Sequence, residues 1–118
     1  MKLYNLIDKG RIAPDTLKDE YRNGHGYGAV TVGTDHLFVK KRLRLYWIAY
    51  EEAERIFRRV RRVSAQMCCD NGELELEYLV VSADGRELME VELPGKKAAR
   101  MLMEELKSTA SCTGFSAP

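Results

Sequence analysis

Chemistry in this chain would have to come from few side chains: Cys68, Cys69 and Cys112, the histidines His25 and His36, and a basic run from Lys40 to Arg62. Two thiols that serve one metal ion or one redox partner need spacing, as in C-x-x-C. Cys68 and Cys69 are adjacent, and on an extended chain adjacent side chains point to opposite faces. They read as a buried, inert pair, since a free cysteine packs as a small hydrophobe. His25, His36 and Cys112 show no ligand spacing with them. Gly24-His25-Gly26-Tyr27-Gly28 lacks the spacing of a dinucleotide fingerprint and the strand-turn-helix unit that would surround one. His25 could act as a general base only with an orienting carboxylate, and none is indicated near it in the sequence. There is no G-x-S-x-G, and Ser108, Ser111 and Ser116 lie near the C-terminus. No catalytic, cofactor-binding or metal-ligating set is therefore expected, and the chain reads as a non-enzyme.

The cations offer a different chemistry. Lys40, Lys41, Arg42 and Arg44 form a candidate anion-binding surface, of the kind that meets lipid or nucleic-acid phosphates. Arg55, Arg58, Arg59, Arg61 and Arg62 follow. Against them stand Glu73, Glu75, Glu77, Glu87, Glu90 and Glu92, on strands expected to be neighbours. Opposite charges paired across strands contribute roughly 0.2–1 kcal/mol each and cancel the field between them. A solvated, internally paired face is the expectation for most of this run. The formal net charge of +1 gives no whole-molecule pull toward a polyanion. Trp47, Tyr46 and Tyr50 could line a peptide groove, but such residues usually serve core and rim packing.

The elements that position these groups follow from periodicity. The 118 residues suit one domain, assigned to residues 1–107. Residues 1–28 read as an N-terminal extension with a short helix over Pro14 to Arg22, Pro14 in its first turn. Strands are expected at Ala29–Val32, Leu37–Lys40, Leu45–Ala49, Leu74–Val81 and Glu87–Leu93. In the fourth, Leu74, Leu76, Tyr78 and Val80 share the apolar face, opposed by Glu75 and Glu77. Asp84-Gly85 is a hairpin turn, because both residues tolerate positive φ. From Lys96 the period becomes helical, with Ala98, Met101, Leu102 and Leu106 facing inward and Met103 outward, where Met103 and Phe115 could form a dimer patch. Residues 108–118 read as a tail. Residues 51–66 are contested: Ala53, Ile56, Phe57, Val60 and Val63 fit an amphipathic helix, while a strand there needs a bulge. The reading adopted is the bulged strand.

That choice rests on a resemblance. The order of elements, and Leu45 to Ile56 in particular, resembles the bacterial pleckstrin-homology-like domains, in which a strand runs into an I-P-Y-x-x-I corner. Ile48-Ala49-Tyr50-Glu51-Glu52-Ala53 stands in that place, with Ala49 for the proline and Ala53 for the last apolar residue. Phe57-Arg58-Arg59-Val60, Cys68-Cys69 and Gly72 are similar to a pattern in small uncharacterised bacterial proteins. The resemblance covers about residues 27–107. It implies an α+β fold of two near-orthogonal antiparallel sheets, a partly open barrel, capped by a C-terminal helix. It carries no catalytic residues over and implies a binding module.

The resulting expectation is a non-enzymatic interaction module that docks a protein partner or a second copy through an exposed sheet edge. Peripheral binding to anionic lipid or nucleic acid through Lys40, Lys41, Arg42 and Arg44 is the alternative and ranks behind it. A thiol enzyme or sensor using Cys68 or Cys69 ranks last. Three cysteines without a framework spacing, and an N-terminus whose apolar run is broken by Asp8 and Lys9, point to a reducing cytoplasm.

Overall fold

Successive side chains of a strand face opposite ways, so a strand with one wet face alternates. Leu37, Phe38 and Val39 do not alternate: all three are fully buried. Their sheet is therefore covered on both faces, as in sheets whose strands read as continuous apolar runs. The structure is a computed structural model and describes residues 2–64 and 73–109. In chain order it contains β1 (Leu3–Asn5), α1 (Thr16–Arg22), β2 (His25–Tyr27), β3 (Val30–Val32), β4 (His36–Lys41), β5 (Arg44–Ala49), a 3-10 turn (Tyr50–Glu52), β6 (Arg55–Ser64), β7 (Glu73–Ala83), β8 (Arg86–Glu92) and α2 (Lys96–Thr109). This is an α+β fold with a five-stranded sheet in the order β1-β5-β4-β3-β2 and a three-stranded sheet in the order β6-β7-β8.

One face of the larger sheet is covered by the N-terminal segment. Leu17 of α1 packs with Leu3, Phe38, Leu45 and Trp47, and Tyr21 meets Phe38 edge-on at 5.3 Å. The side chain of Glu20 fastens α1 to the β3–β4 turn. Its Oε2 accepts the backbone N–H groups of Asp35 and His36 at 2.9 and 2.8 Å, and its Oε1 lies 2.8 Å from His36 Nδ1. The segment read as an extension thus supplies a strand at each edge of the sheet and the cover of one face. The sequence reading expects antiparallel sheets only; β1 instead runs parallel to β5, with Leu3 opposite Leu45. Parallel neighbours need a long crossover, and residues 6–43, with α1 and three strands, provide it. β1 stops where Asn5, itself buried, turns its Oδ1 onto the N–H groups of Ile7 and Asp8, both at 2.9 Å.

The other face belongs to the main core, where Val30, Val32, Leu37, Val39 and Ile48 join Ile56, Leu79, Val81, Met89 and Val91 of the smaller sheet and Ala99, Leu102 and Leu106 of α2. Met101 of α2 is exposed and Met103 is half-buried against that core, the reverse of the sequence expectation.

Residues 55–64 form a strand. Its register with β7 runs from Arg55 opposite Ser82 to Ser64 opposite Glu73 without a shift, so the expected bulge is not in β6. The irregularity lies between Val81 and Ser82, against β8. The helical periodicity of this segment goes unused, because Ile56 alone enters the main core while Val60 and Val63 are exposed. In β7 the inward face is also the opposite of the one expected. Leu79 and Val81 point into the main core with Glu77 on their side, whereas on the expected face Leu74 is exposed, Leu76 and Tyr78 are half-buried and Val80 is buried outside that core. The tail beyond Thr109 and the pair Cys68 and Cys69 lie outside the described residues, as do Gly72, Cys112 and Phe115.

Candidate anion-binding groove

β4 and β5 are joined by two residues: Lys41 is paired with Arg44, which leaves Arg42 and Leu43 as the loop. Both adopt positive φ, 52° and 67°. A two-residue hairpin with both central residues in that region wants Asn-Gly or Asp-Gly. The β7–β8 hairpin obeys the rule with Asp84 and Gly85, at φ 55° and 74°. The β4–β5 hairpin breaks it, and an L-residue in the left-handed region costs roughly 1–2 kcal/mol. The return for the fold is nil in packing terms, since the Leu43 side chain is 96% exposed. A tight turn built from residues that disfavour its conformation, with its apolar side chain held in water, makes this tip a candidate site.

Behind the tip lies a groove of about 620 Å³. Lys2, Lys40, Arg42 and Arg44 line it together with Tyr4, Tyr21, Leu43 and Leu45, and no carboxylate is among the lining residues. The Arg44 guanidinium stands 5.1 Å and the Lys2 ammonium 5.4 Å from the centre of the Tyr4 ring. These cation–π contacts hold both charges over one aromatic plane. Three of the four residues expected to form an anion site are thus brought together: Lys40, Arg42 and Arg44. Lys41 is not. Its side chain turns to the smaller sheet and donates to the Glu90 carbonyl at 2.7 Å. The groove gains Lys2, Tyr4 and Tyr21, which no local pattern marks. They arrive because β1 docks in parallel beside β5 and α1 crosses β4.

Four of the five later arginines, Arg58, Arg59, Arg61 and Arg62, are neutralised within their own sheet, while Arg55 lies over the Phe57 ring. Arg59 pairs with Glu87 and Glu90, Arg61 with Glu90, and Arg62 with Glu75, whose other oxygen also takes Lys96 at 2.9 Å. Hydrogen bonds from Lys96 and from Arg59 hold the carboxyls of Glu75 and Glu87, respectively, below the usual carboxylate range. Burial pushes Glu90 up, but the hydrogen bonds and charges of Arg61 and Arg59 together outweigh it and its carboxyl is also lowered. Hydrogen bonding to Glu87 and Glu90 raises Arg59 in turn. Arg58 is the inward member: its Nε meets Oε1 of the buried Glu77 at 2.5 Å. Arg59 and Arg61 also lie over Phe57 and Tyr78, so their stems roof the apolar part of the outer face.

The sequence indicates no carboxylate for His25, and the fold supplies one. α2 places Glu105 Oε1 at 2.7 Å from His25 Nδ1, and the same oxygen accepts the Tyr27 hydroxyl at 2.5 Å. Burial first, then the hydrogen bond to Glu105 and the charges of Glu105 and Glu104, push the Tyr27 hydroxyl up to about 12. These three groups clamp α2 to β2, as Glu20 and His36 clamp α1 to β4. Tyr50 serves packing too: its hydroxyl donates to the Gly33 carbonyl at 2.8 Å, and burial raises it. Trp47 is buried beside α1. Ser108 donates to the Glu105 carbonyl inside α2.

Among the described residues no three His, Cys, Asp or Glu side chains converge as for a metal ion, and no helix is long and apolar enough to cross a membrane. No family model, curated protein or solved structure matches the chain.

Proposed function

We propose that this chain is a binding module that works without catalysis and takes a phosphate-rich polyanion in the groove at the β4–β5 tip. One observation carries the reading. The cations of Lys2, Lys40, Arg42 and Arg44 converge on one groove with no carboxylate in its lining, while Arg58, Arg59, Arg61 and Arg62 are each ion-paired. An arginine fork grips phosphate oxygens in pairs and a lysine adds a mobile point charge. Heparin is a suitable probe. Its affinity should fall steeply with salt, and Lys40→Glu with Arg44→Glu should abolish binding at moderate ionic strength. Lys97→Glu, exposed on α2, should leave it unchanged. Binding that ignores salt, or survives both reversals, refutes the reading. The antiparallel series β2–β5, the three strands β6–β8 and the closing helix α2 support a pleckstrin-homology-like architecture, to which β1 and α1 are additions.

A second reading has its own support. β6 is an edge strand of ten residues, and its hairpin with β7 continues for five residue pairs beyond the end of β8. Val60, Val63 and Leu74 are exposed along that arm. An edge of this length accepts an added strand from a protein partner or a second copy. Light scattering should show a concentration-dependent dimer that Val60→Lys disrupts. A strict monomer up to high concentration counts against self-association.

A further inference from the structure

We infer that the polyanion is the surface of an anionic phospholipid membrane, entered by Leu43 and Ile12. The inference rests on the polyanion reading of the groove and names its occupant.

Two loop tips carry it. Leu43 and Ile12, 96% and 90% exposed, are the most exposed large apolar side chains among the described residues. Each is flanked by cations in sequence, Leu43 by Arg42 and Arg44 and Ile12 by Arg11, with Lys9 nearby. The cavities that Leu43 and Ile12 line share Lys2. A second cavity, of about 430 Å³, is lined in part by Ile12 and carries the cations of Lys2, Lys9 and Lys18 with the carboxylate of Asp15; Arg11, also in its lining, is paired with Glu52. Lys2 belongs to both cavities, so a continuous basic strip joins the two tips.

Neither tip is exposed through slackness. The Ile12 loop is held by Asp8, whose Oδ1 accepts the Gly10 N–H at 3.0 Å and whose carbonyl accepts the Arg11 N–H at 3.0 Å. Arg11 anchors it further: its Nη1 meets both Glu52 oxygens at 2.8 Å, and its guanidinium lies 6.0 Å from the Trp47 ring centre. Leu43 is fixed by a two-residue hairpin in the left-handed region. Both aliphatic groups are therefore presented to solvent by ordered backbone. A nucleic acid finds little use for them, because sequence-tolerant strand binding relies on aromatic faces. A membrane uses both parts: phosphates and serine carboxylates meet the cations, and the acyl boundary a few ångströms below receives the apolar tips.

The test sediments the full chain with vesicles of phosphatidylcholine, with and without phosphatidylserine, and measures heparin affinity in parallel. The wild-type chain should bind only the phosphatidylserine vesicles. Leu43→Ser and Ile12→Ser should each weaken vesicle binding about tenfold or more, and Ile12→Ser, which lies outside the groove, should leave heparin affinity unchanged. Both sites are exposed, so the fold should survive, and a circular dichroism spectrum checks it. Leu43→Trp gives a second readout: its emission should shift to the blue when phosphatidylserine vesicles are added. Vesicle binding that neither serine variant weakens overturns the inference, as does a Leu43→Trp emission that stays unshifted. A chain that binds heparin but no vesicle overturns the membrane assignment and leaves the groove. A chain that binds neither removes both.

Discussion

Replacing Arg42 and Leu43 together by Asn and Gly (R42N/L43G) should stabilise the fold while it weakens binding. Both residues lie at positive φ in a loop of two, and their backbones would stay where they are. Leaving the left-handed region to Asn and Gly removes roughly 1–2 kcal/mol per residue. The glycine returns about 0.5–1 kcal/mol of that through the freedom it adds to the unfolded chain. The net gain is about 1–3.5 kcal/mol, and little packing is lost, since Leu43 is almost wholly exposed. For a chain of this size the gain corresponds to a rise of about 4–14 °C in Tm, read by calorimetry or circular dichroism. Heparin affinity should drop with the loss of the Arg42 fork, and vesicle affinity should drop further with the loss of Leu43. An unchanged or lowered Tm would refute the reasoning, because it would mean that the tip stores no backbone strain and needs no functional account.

Other outcomes follow from the charge pairs. Arg58→Met leaves Glu77 buried without its cation and should cost roughly 3–5 kcal/mol in denaturant unfolding. Adding Glu77→Leu should restore most of that loss, since Oε2 of Glu77 already lacks a partner among the described residues. The carboxyls of Glu75, Glu87 and Glu90 are lowered in the folded chain, so their stabilisation is complete above the unfolded carboxylate range near pH 4.5 and lost as pH falls below it. Unfolding by urea should become easier below that pH, and high salt should blunt the effect. The Tyr27 hydroxyl is raised, so its contribution is complete below pH 10 and fades as pH climbs from 10 toward 12. Absorbance at the tyrosinate band should show a late-titrating group that Tyr27→Phe removes.

The sequence carries the parts of the fold whose determinants are local. The Asp84-Gly85 turn, the strands ending at Ala49 and starting near Leu37, and the helix from Lys96 all appear where periodicity and turn chemistry put them. The failures share one cause: the decisive partner is far away in the chain. β6 fails only in its expected bulge: its local pattern is helical, and the strand adopted for it on the resemblance forms because β7 pairs with all ten of its residues. Glu77 reads as a wet residue, yet it points inward because Arg58, nineteen positions earlier, comes with it. Lys2 and Tyr4 show no functional pattern, and they reach the groove only through the parallel pairing of β1 with β5. Lys41 reads as a site residue by adjacency, but neighbours on a strand face opposite ways, and it serves the contact between sheets instead.

The same alternation explains why one basic stretch is available and the other is not. In β6, Arg58 and Arg62 pair with Glu77 and Glu75 of the adjacent β7, and Arg59 and Arg61 reach across to Glu87 and Glu90 on β8, so a sheet three strands wide absorbs the charge of four of its five β6 arginines. At the β4–β5 tip, Lys41 and Arg42 border Glu87 and Glu90 on one side, but neither cation makes an ion pair with them among the described residues, and the groove on the other side has no carboxylate in its lining. β1 comes alongside β5 and brings Lys2, so pairing there concentrates charge where pairing in the smaller sheet cancels it. The chain holds nearly equal numbers of cations and anions, 19 against 18, and yet presents a groove whose charged lining residues are all cations. Strand order, not composition, makes that groove, and so a charge reversal in it should act on binding far more than an equal reversal on α2.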